Sequence, residues 1–366
     1  MNNIQKLAEL GQSIWLDNIH RKMLESGELK GLTELGVLGV TSNPSIFEKA
    51  IAGSADYDEQ LKMLTQEDAS TNEIYEALVL RDIGMAADIL RPVYERTDGL
   101  DGYVSLEVSP ELANETKQTV EEAKRFFDLL RRPNIMIKVP ATDAGIPAIE
   151  ELIAAGVNIN VTLIFAISNY EKVAGAYIQG LERALQEGKD IHRIASVASF
   201  FVSRVDTAVD AALDQIDNHA LQGELAVANA KLAYRRFNEI FSGSDWDRLA
   251  SAGARVQRPL WASTSTKNPA YSDILYVAEL IGSSTVNTVP PSTLESFLDH
   301  GNAVLTLETN VDQAREQLEQ VRSLGIDFGA ITSKLQHDGV EAFAKSYRNL
   351  IAAIDEKCKQ MKVQAA

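Results

Sequence analysis

Short apolar, β-branched runs alternate with longer stretches of helical period along this chain, which is the pattern of parallel strands joined by crossover helices. Strands are expected at 13–17, 36–43, 103–108, 134–140, 158–165, 194–202, 258–264 and 284–290. Helical spacing of apolar residues runs through 110–130, 168–185 and 205–240. The segment 44–102 is too long for one crossover and reads as an all-helical insertion after the second strand. The stretch after Pro290 is helical as well. About eight strands in a chain of 366 residues is what a (β/α)8 TIM barrel requires. The expected fold is therefore α/β, a single barrel domain over 1–366 with a helical insertion and extra C-terminal helices.

Within each strand, alternate side chains face the helices and the barrel axis. In 134–140, Ile135, Ile137 and Val139 share one face; Asn134, Met136 and Lys138 share the other. In 103–108, Val104, Leu106 and Val108 oppose Tyr103, Ser105 and Glu107. In 158–165, Ile159, Val161 and Leu163 oppose Asn158, Asn160 and Thr162. Ile14 and Leu16 oppose Ser13, Trp15 and Asp17. The phase thus collects Asp17, Asn43, Glu107, Lys138, Asn160, Thr162 and Ser199 on the inward face near the C-terminal strand ends. Barrel active sites sit at that end, and an ordinary interior would carry Val, Ile and Leu there.

Each residue also has a plain structural reading. Lys138 could snorkel from a strand end. A free lysine titrates near 10.4, so a neutral nucleophilic amine needs desolvation to form near neutral pH. Asp17 could cap a helix, and Asn43 could open the turn before Pro44. Glu107 could simply pair with Lys138, while Asn160 and Thr162 could be satisfied interior polar groups. For an anion, 199–204 brings Ser199 near Arg204, and 261–269 adds Ser263, Ser265 and Lys267 after the seventh strand. Hydroxyls with cationic side chains suit a phosphate, although Arg204 and Lys267 would serve equally as solvated surface charge.

Composition narrows the partners. A formal net charge of −17 opposes a nucleic-acid backbone and favours solubility. An anionic substrate would need a local basic pocket. His20, His192, His219, His300 and His337 form no HxH or HExxH pattern, so no metal is expected. No glycine-rich nucleotide motif is present either, and no cofactor is expected. The single cysteine, Cys358, excludes an intrachain disulfide and fits a reducing compartment. No apolar run reaches membrane-spanning length and no signal pattern opens the chain, so a cytoplasmic location is expected, while homodimer and monomer both stay open.

The segments GVTSNPSIF (39–47), IMIKVPAT (135–142), GVNINVTLIF (156–165) and WASTSTKNP (261–269) resemble transaldolase signatures. Strand order and spacing match along nearly the whole chain. The likeness is to the longer bacterial type, which also carries VNTVPPSTLESFLDHG, here 286–301. The resemblance implies a cofactor-free Schiff-base enzyme of the pentose phosphate pathway. Such enzymes move dihydroxyacetone from sedoheptulose 7-phosphate to glyceraldehyde 3-phosphate, giving erythrose 4-phosphate and fructose 6-phosphate. It implies Lys138 as nucleophile, Asp17 and Glu107 as acid–base groups, and Thr162 as holder of a water. It implies Asn43, Asn160 and Ser199 as substrate or water ligands and Arg204 as a phosphate ligand. Many members carry a second arginine after the seventh strand; Ser265 or Lys267 stands in that region here. Two rivals remain at this stage. One is a fructose 6-phosphate aldolase-like enzyme that releases dihydroxyacetone, although those relatives are shorter and have Gln at the place of Glu107. The other is a barrel without activity that binds sugar phosphates.

Overall fold

In a computed structural model, residues 1–365 are described, and eight parallel strands close into a barrel in the order β1 to β8. The strands are β1 (Gln12–Leu16), β2 (Val37–Val40), β3 (Val104–Glu107), β4 (Ile135–Pro140), β5 (Ile159–Ile164), β6 (Ser196–Phe201), β7 (Arg258–Ala262) and β8 (Thr285–Val289). Every expected strand is present; seven are trimmed at one or both ends, and β1 is shifted one residue toward the N-terminus, which leaves Asp17 just past it. Before β2 lie α1 (Asn3–Glu9), α2 (Arg21–Glu25) and α3 (Glu28–Leu35). The insertion after β2 is helical as expected: α4 (Pro44–Phe47), a π-turn (Glu48–Ala52), α5 (Asp58–Gln66) and the long α6 (Thr71–Arg96). Then follow α7 (Thr116–Leu130), α8 (Gly145–Ala154), α9 (Ile167–Gln186), α10 (Ser203–Asp214), α11 (Leu225–Ile240) and α12 (Ser244–Ser251). The chain ends through α13 (Leu275–Ala278), α14 (Pro291–His300), α15 (Val311–Ser323) and α16 (Phe328–Ala365). No helix of the described residues is long and apolar enough to cross a membrane.

Three expectations are corrected. The 205–240 stretch is two helices, not one, because Asp217 and Gly223 adopt left-handed backbone between them. That conformation cannot continue an α-helix. Leu163 does not keep the strict alternation of β5: it has φ 60 and the register slips by one residue between Val161 and Ile164. This bulge turns Leu163 toward α16, where only a glycine, Gly339, leaves room: a Cβ there would lie 2.8 Å from the Leu163 side chain. Asn134 precedes β4, and its amide bonds the Ala87 and Gly102 carbonyls at 2.8 Å instead of joining the interior.

The barrel is filled in layers. At the N-terminal end, Arg258 opens β7 and meets Asp101 at 2.9 Å, Ser13 at 2.8 Å and the Leu100 carbonyl at 2.6 Å. The Asp101 carboxylate also accepts from Ser13 (2.8 Å) and from the Trp15 indole (3.0 Å). Trp15 is fully buried, and Gly39 of β2 makes room for it, since a Cβ there would sit 2.6 Å from the indole. In the next layer, Asn160 donates to Ser105 (3.0 Å) and accepts from Ser199 (2.6 Å), tying β3, β5 and β6 together. One end of the barrel is thus plugged, leaving the C-terminal end to open.

The plug predicts a stability phenotype. Asp101→Ala strands a buried guanidinium and should cost about 3–5 kcal/mol, read as a lower urea-unfolding free energy. A loss below about 1 kcal/mol would mean water replaces the carboxylate there.

Candidate active site

The three residues that follow β2 each take a separate task at the open end. Thr41 donates to Asp17 at 2.7 Å and touches the Thr288 hydroxyl at 2.7 Å, binding β1, β2 and β8 together. The Ser42 carbonyl accepts from Lys138 Nζ at 3.2 Å. Asn43 caps α4, its Oδ1 accepting from the Ile46 N–H at 3.0 Å. The anticipated turn-opening role of Asn43 is therefore present, and the residue also lines the cavity above.

Strand register places Glu107, Lys138 and Asn160 side by side on β3, β4 and β5. Lys138 is 4% exposed and Glu107 6%, so both charges lie inside the barrel. Lys138 Nζ is 3.5 Å from Glu107 Oε2. That oxygen has no hydrogen-bond partner among the described residues, and neither does the buried Thr162 Oγ1. Burial pushes the Glu107 carboxyl up to about 7, with Lys138 pulling the other way. Asp17 is raised by burial and pulled back by Lys138, Thr41, Arg204 and Lys267.

A cavity of about 310 Å³ opens above this layer. Lys138, Asp17, Asn43 and Ser199 form its inner wall, and Arg204, Ser263, Ser265 and Lys267 line it from the ends of β6 and β7. Glu107, Asn160 and Thr162 do not line it; they lie behind the wall, with Asn160 reaching it through Ser199. Arg204 sits in the first turn of α10 over the Phe201 ring, 5.5 Å from its centroid. Burial pushes its guanidinium below the usual range, and Asp17 opposes this. Lys267 donates to Ser265 at 2.7 Å. Among the described residues, neither Arg204 nor Lys267 pairs with a carboxylate within salt-bridge distance, in a chain of net charge −17. The local basic pocket that an anionic substrate needs is present.

Among the lining residues that escaped sequence reading are Thr41, Thr288, Lys49 and Phe343. The two threonines were within reach, since continuing the alternation along β2 and β8 puts them inward. Lys49 is carried by the π-turn after α4, a feature common at functional sites. Phe343 comes from α16, with its ring centroid 5.6 Å from Lys138 Nζ. Gln336 pins that helix across the mouth through the Ala141 (2.8 Å) and Leu163 (3.1 Å) carbonyls. Ser346 meets Ser45 of α4 at 2.8 Å further along.

Comparison with known proteins adds the family. The sequence model described as Transaldolase/Fructose-6-phosphate aldolase matches residues 14–354. "Transaldolase 2" of a Nostoc species is 46% identical over 374 residues, covering 98% of each chain. "Transaldolase" of Thiobacillus denitrificans is 49% identical, covering 97% of this chain and 100% of its own. "Transaldolase" of Acidothermus cellulolyticus is 48% identical, covering 96% and 95%.

The raised Glu107 carboxyl has a consequence for stability. It keeps its proton to about 7 when folded, against an ordinary value of 4.5. Folding takes up a proton between those limits, so this group makes the fold less stable as pH rises from 4.5 to 7. Asp206, also pushed up to about 7 by burial, slopes the same way. Glu107→Gln should therefore flatten part of the decline in unfolding free energy between about pH 5 and 7. An identical slope in the variant would show that the carboxyl titrates at its ordinary value.

Proposed function

This chain belongs to the transaldolase/fructose-6-phosphate aldolase family, and on that premise we propose that Lys138 carries its transaldolase reaction as a Schiff base. The activity itself is that of a transaldolase, as in the full-length relatives. Its substrates are sugar phosphates: sedoheptulose 7-phosphate and fructose 6-phosphate as donors, glyceraldehyde 3-phosphate and erythrose 4-phosphate as acceptors. One observation carries the assignment of the nucleophile. Lys138 is a lysine buried in a barrel strand, 3.5 Å from a carboxylate and open to the cavity on its other side.

Lys138 Nζ, after giving up its proton, attacks the C2 carbonyl of the ketose. Glu107 and Thr162, whose free oxygens lie behind the lysine, hold the water that carries protons as the carbinolamine loses its hydroxyl. A carboxyl near 7 suits both halves of that shuttle. The resulting iminium draws electrons. Asp17 takes the proton of the C4 hydroxyl, the C3–C4 bond breaks, its electron pair forms the C2–C3 double bond, and the iminium π pair moves onto nitrogen to leave an enamine on Lys138. The aldose leaves with its phosphate at Arg204, Ser263, Ser265 and Lys267. Asn43, and Ser199 held by Asn160, keep the hydroxyls of the three-carbon unit. A second aldose then takes up the unit by the reverse steps. Phe343 lies over the nitrogen and keeps water from hydrolysing the intermediate before the acceptor arrives. The resting protein acts as a monomer or homodimer in this reading.

Incubation with fructose 6-phosphate followed by borohydride should leave a three-carbon adduct on the peptide containing Lys138. Lys138→Ala should lose both adduct and turnover; retained activity would remove the lysine from the mechanism. Asp17→Ala should still form the Schiff base yet slow carbon–carbon cleavage by about 10²–10⁴-fold. Phe343→Ala should raise dihydroxyacetone release without acceptor, relative to transfer, whereas Phe343→Leu should not. Equal partitioning in all three proteins would reduce Phe343 to a packing residue.

A further inference from the structure

The mechanism leaves unused a set of buried hydrogen bonds along one face of α10. Asp206 and Asp210 stand one turn apart there, following Arg204 in the first turn. Asp206 accepts from the Tyr276 hydroxyl at 2.8 Å and from the Ala226 N–H at 2.7 Å. Asp210 accepts from the Tyr271 hydroxyl at 2.7 Å and from the Gly223 N–H at 3.0 Å. The tyrosines belong to the segment after β7, which also carries Ser265 and Lys267. The inner pair is closed in, with Asp206 and Tyr276 both buried; the outer pair is half-buried.

The loop between β7 and α13 is braced within itself. Thr266 donates to the Ser272 carbonyl at 2.7 Å, and the Tyr271 N–H donates to the Asn268 carbonyl at 3.1 Å. It is held to α10 at two places. At its start, Ser263 and Ser203 touch through their hydroxyls at 2.9 Å, and the Ser203 N–H donates to the Ser263 carbonyl at 2.9 Å. At its far end, Tyr271 reaches Asp210. Arg204 lies between the two anchor points on the helix, and Lys267 lies between them on the loop. The Tyr271 ring also needs Gly223, which has φ 75 and where a Cβ would come within 2.8 Å of the ring. Both cations face one cavity without a carboxylate within salt-bridge distance among the described residues, and Asp17 attracts each of them only across that cavity, so the anchors between loop and helix are the direct ties that fix their separation.

We propose that the Tyr271–Asp210 hydrogen bond is a strut that sets the spacing between Arg204 and Lys267, making Tyr271 a positioning residue for the substrate phosphate. This rests on the reading of the cavity as a sugar-phosphate site and adds what holds its two cationic arms apart. A phosphate bound between two arms gains from both only if their separation is fixed beforehand. Releasing the strut frees the loop that carries Lys267 while Arg204, Lys138 and Asp17 stay in place. The loss therefore falls on binding of the phosphate and leaves the reacting carbons untouched.

Tyr271→Phe removes one oxygen and keeps the ring. KM for glyceraldehyde 3-phosphate should rise by about threefold to tenfold, with kcat unchanged. KM and kcat for unphosphorylated glyceraldehyde as acceptor should not move. The inhibition constant of inorganic phosphate should rise in parallel with the first KM. Asp210→Ala, which also leaves the Gly223 N–H without its acceptor, should do at least as much, and the double variant should be no worse than Asp210→Ala alone, because that change already removes the shared bond. Equal losses with both acceptors, or unchanged phosphate inhibition in Tyr271→Phe, would overturn the strut. If the parent chain itself showed no preference for the phosphorylated acceptor and no inhibition by phosphate, the reading of the cavity would fall first. The borohydride adduct on Lys138 would still report independently on the chemistry.

Discussion

A charged amine inside a closed barrel is the constraint on which the rest depends. Lys138 cannot be buried without partners, and the fold supplies two: Glu107, set beside it by the β3–β4 register, and the Ser42 carbonyl after β2. The same burial that makes the lysine costly raises the Glu107 carboxyl into the neutral range. A pair that was only structural would be better replaced by apolar residues of the same volume. Here one carboxylate oxygen has only its 3.5 Å approach to Lys138, and the Thr162 hydroxyl has no hydrogen-bond partner among the described residues, so both keep hydrogen-bonding capacity that the protein does not use.

The layers beneath explain why that capacity stays at one end. Arg258, Asp101, Ser13 and Trp15 satisfy one another and close the N-terminal end. Above them, Ser105, Asn160 and Ser199 form a second polar layer whose groups are mutually bonded. Ser199 of that layer and, above it, Asp17, further hydroxyls and the amine face open space. Arg204 and Lys267 then give that space a positive rim within a strongly acidic chain, and such local focusing draws anionic sugars despite the net charge.

Much of this was legible from residue order because strand alternation is a rigid rule. Lys138, Glu107 and Asp17 follow from it directly, as does the count of strands. The rule fails where the backbone leaves it: at Leu163, where a bulge adds a residue, and between Asp217 and Gly223, where two helices share what reads as one amphipathic pattern. It is silent on contacts between elements far apart in the chain. Nothing near Asp101 announces that it meets Arg258, and Phe343 looks like any apolar residue on a helix. Which of the polar strand-end residues lines the cavity, and which stands behind it as Asn160 and Thr162 do, depends on side-chain depth, which periodicity does not encode.

The position of α16 carries a consequence for how the protein is made. Its ties to the barrel mouth join residues far apart in the chain: Gln336 to Ala141 across 195 residues, and Ser346 to Ser45 across 301. On the ribosome, all eight strands emerge before Phe343 does. In order of synthesis, the ring that covers Lys138 is therefore made after every strand of the barrel. A chain that stopped before Phe343 would lack the ring that covers this amine.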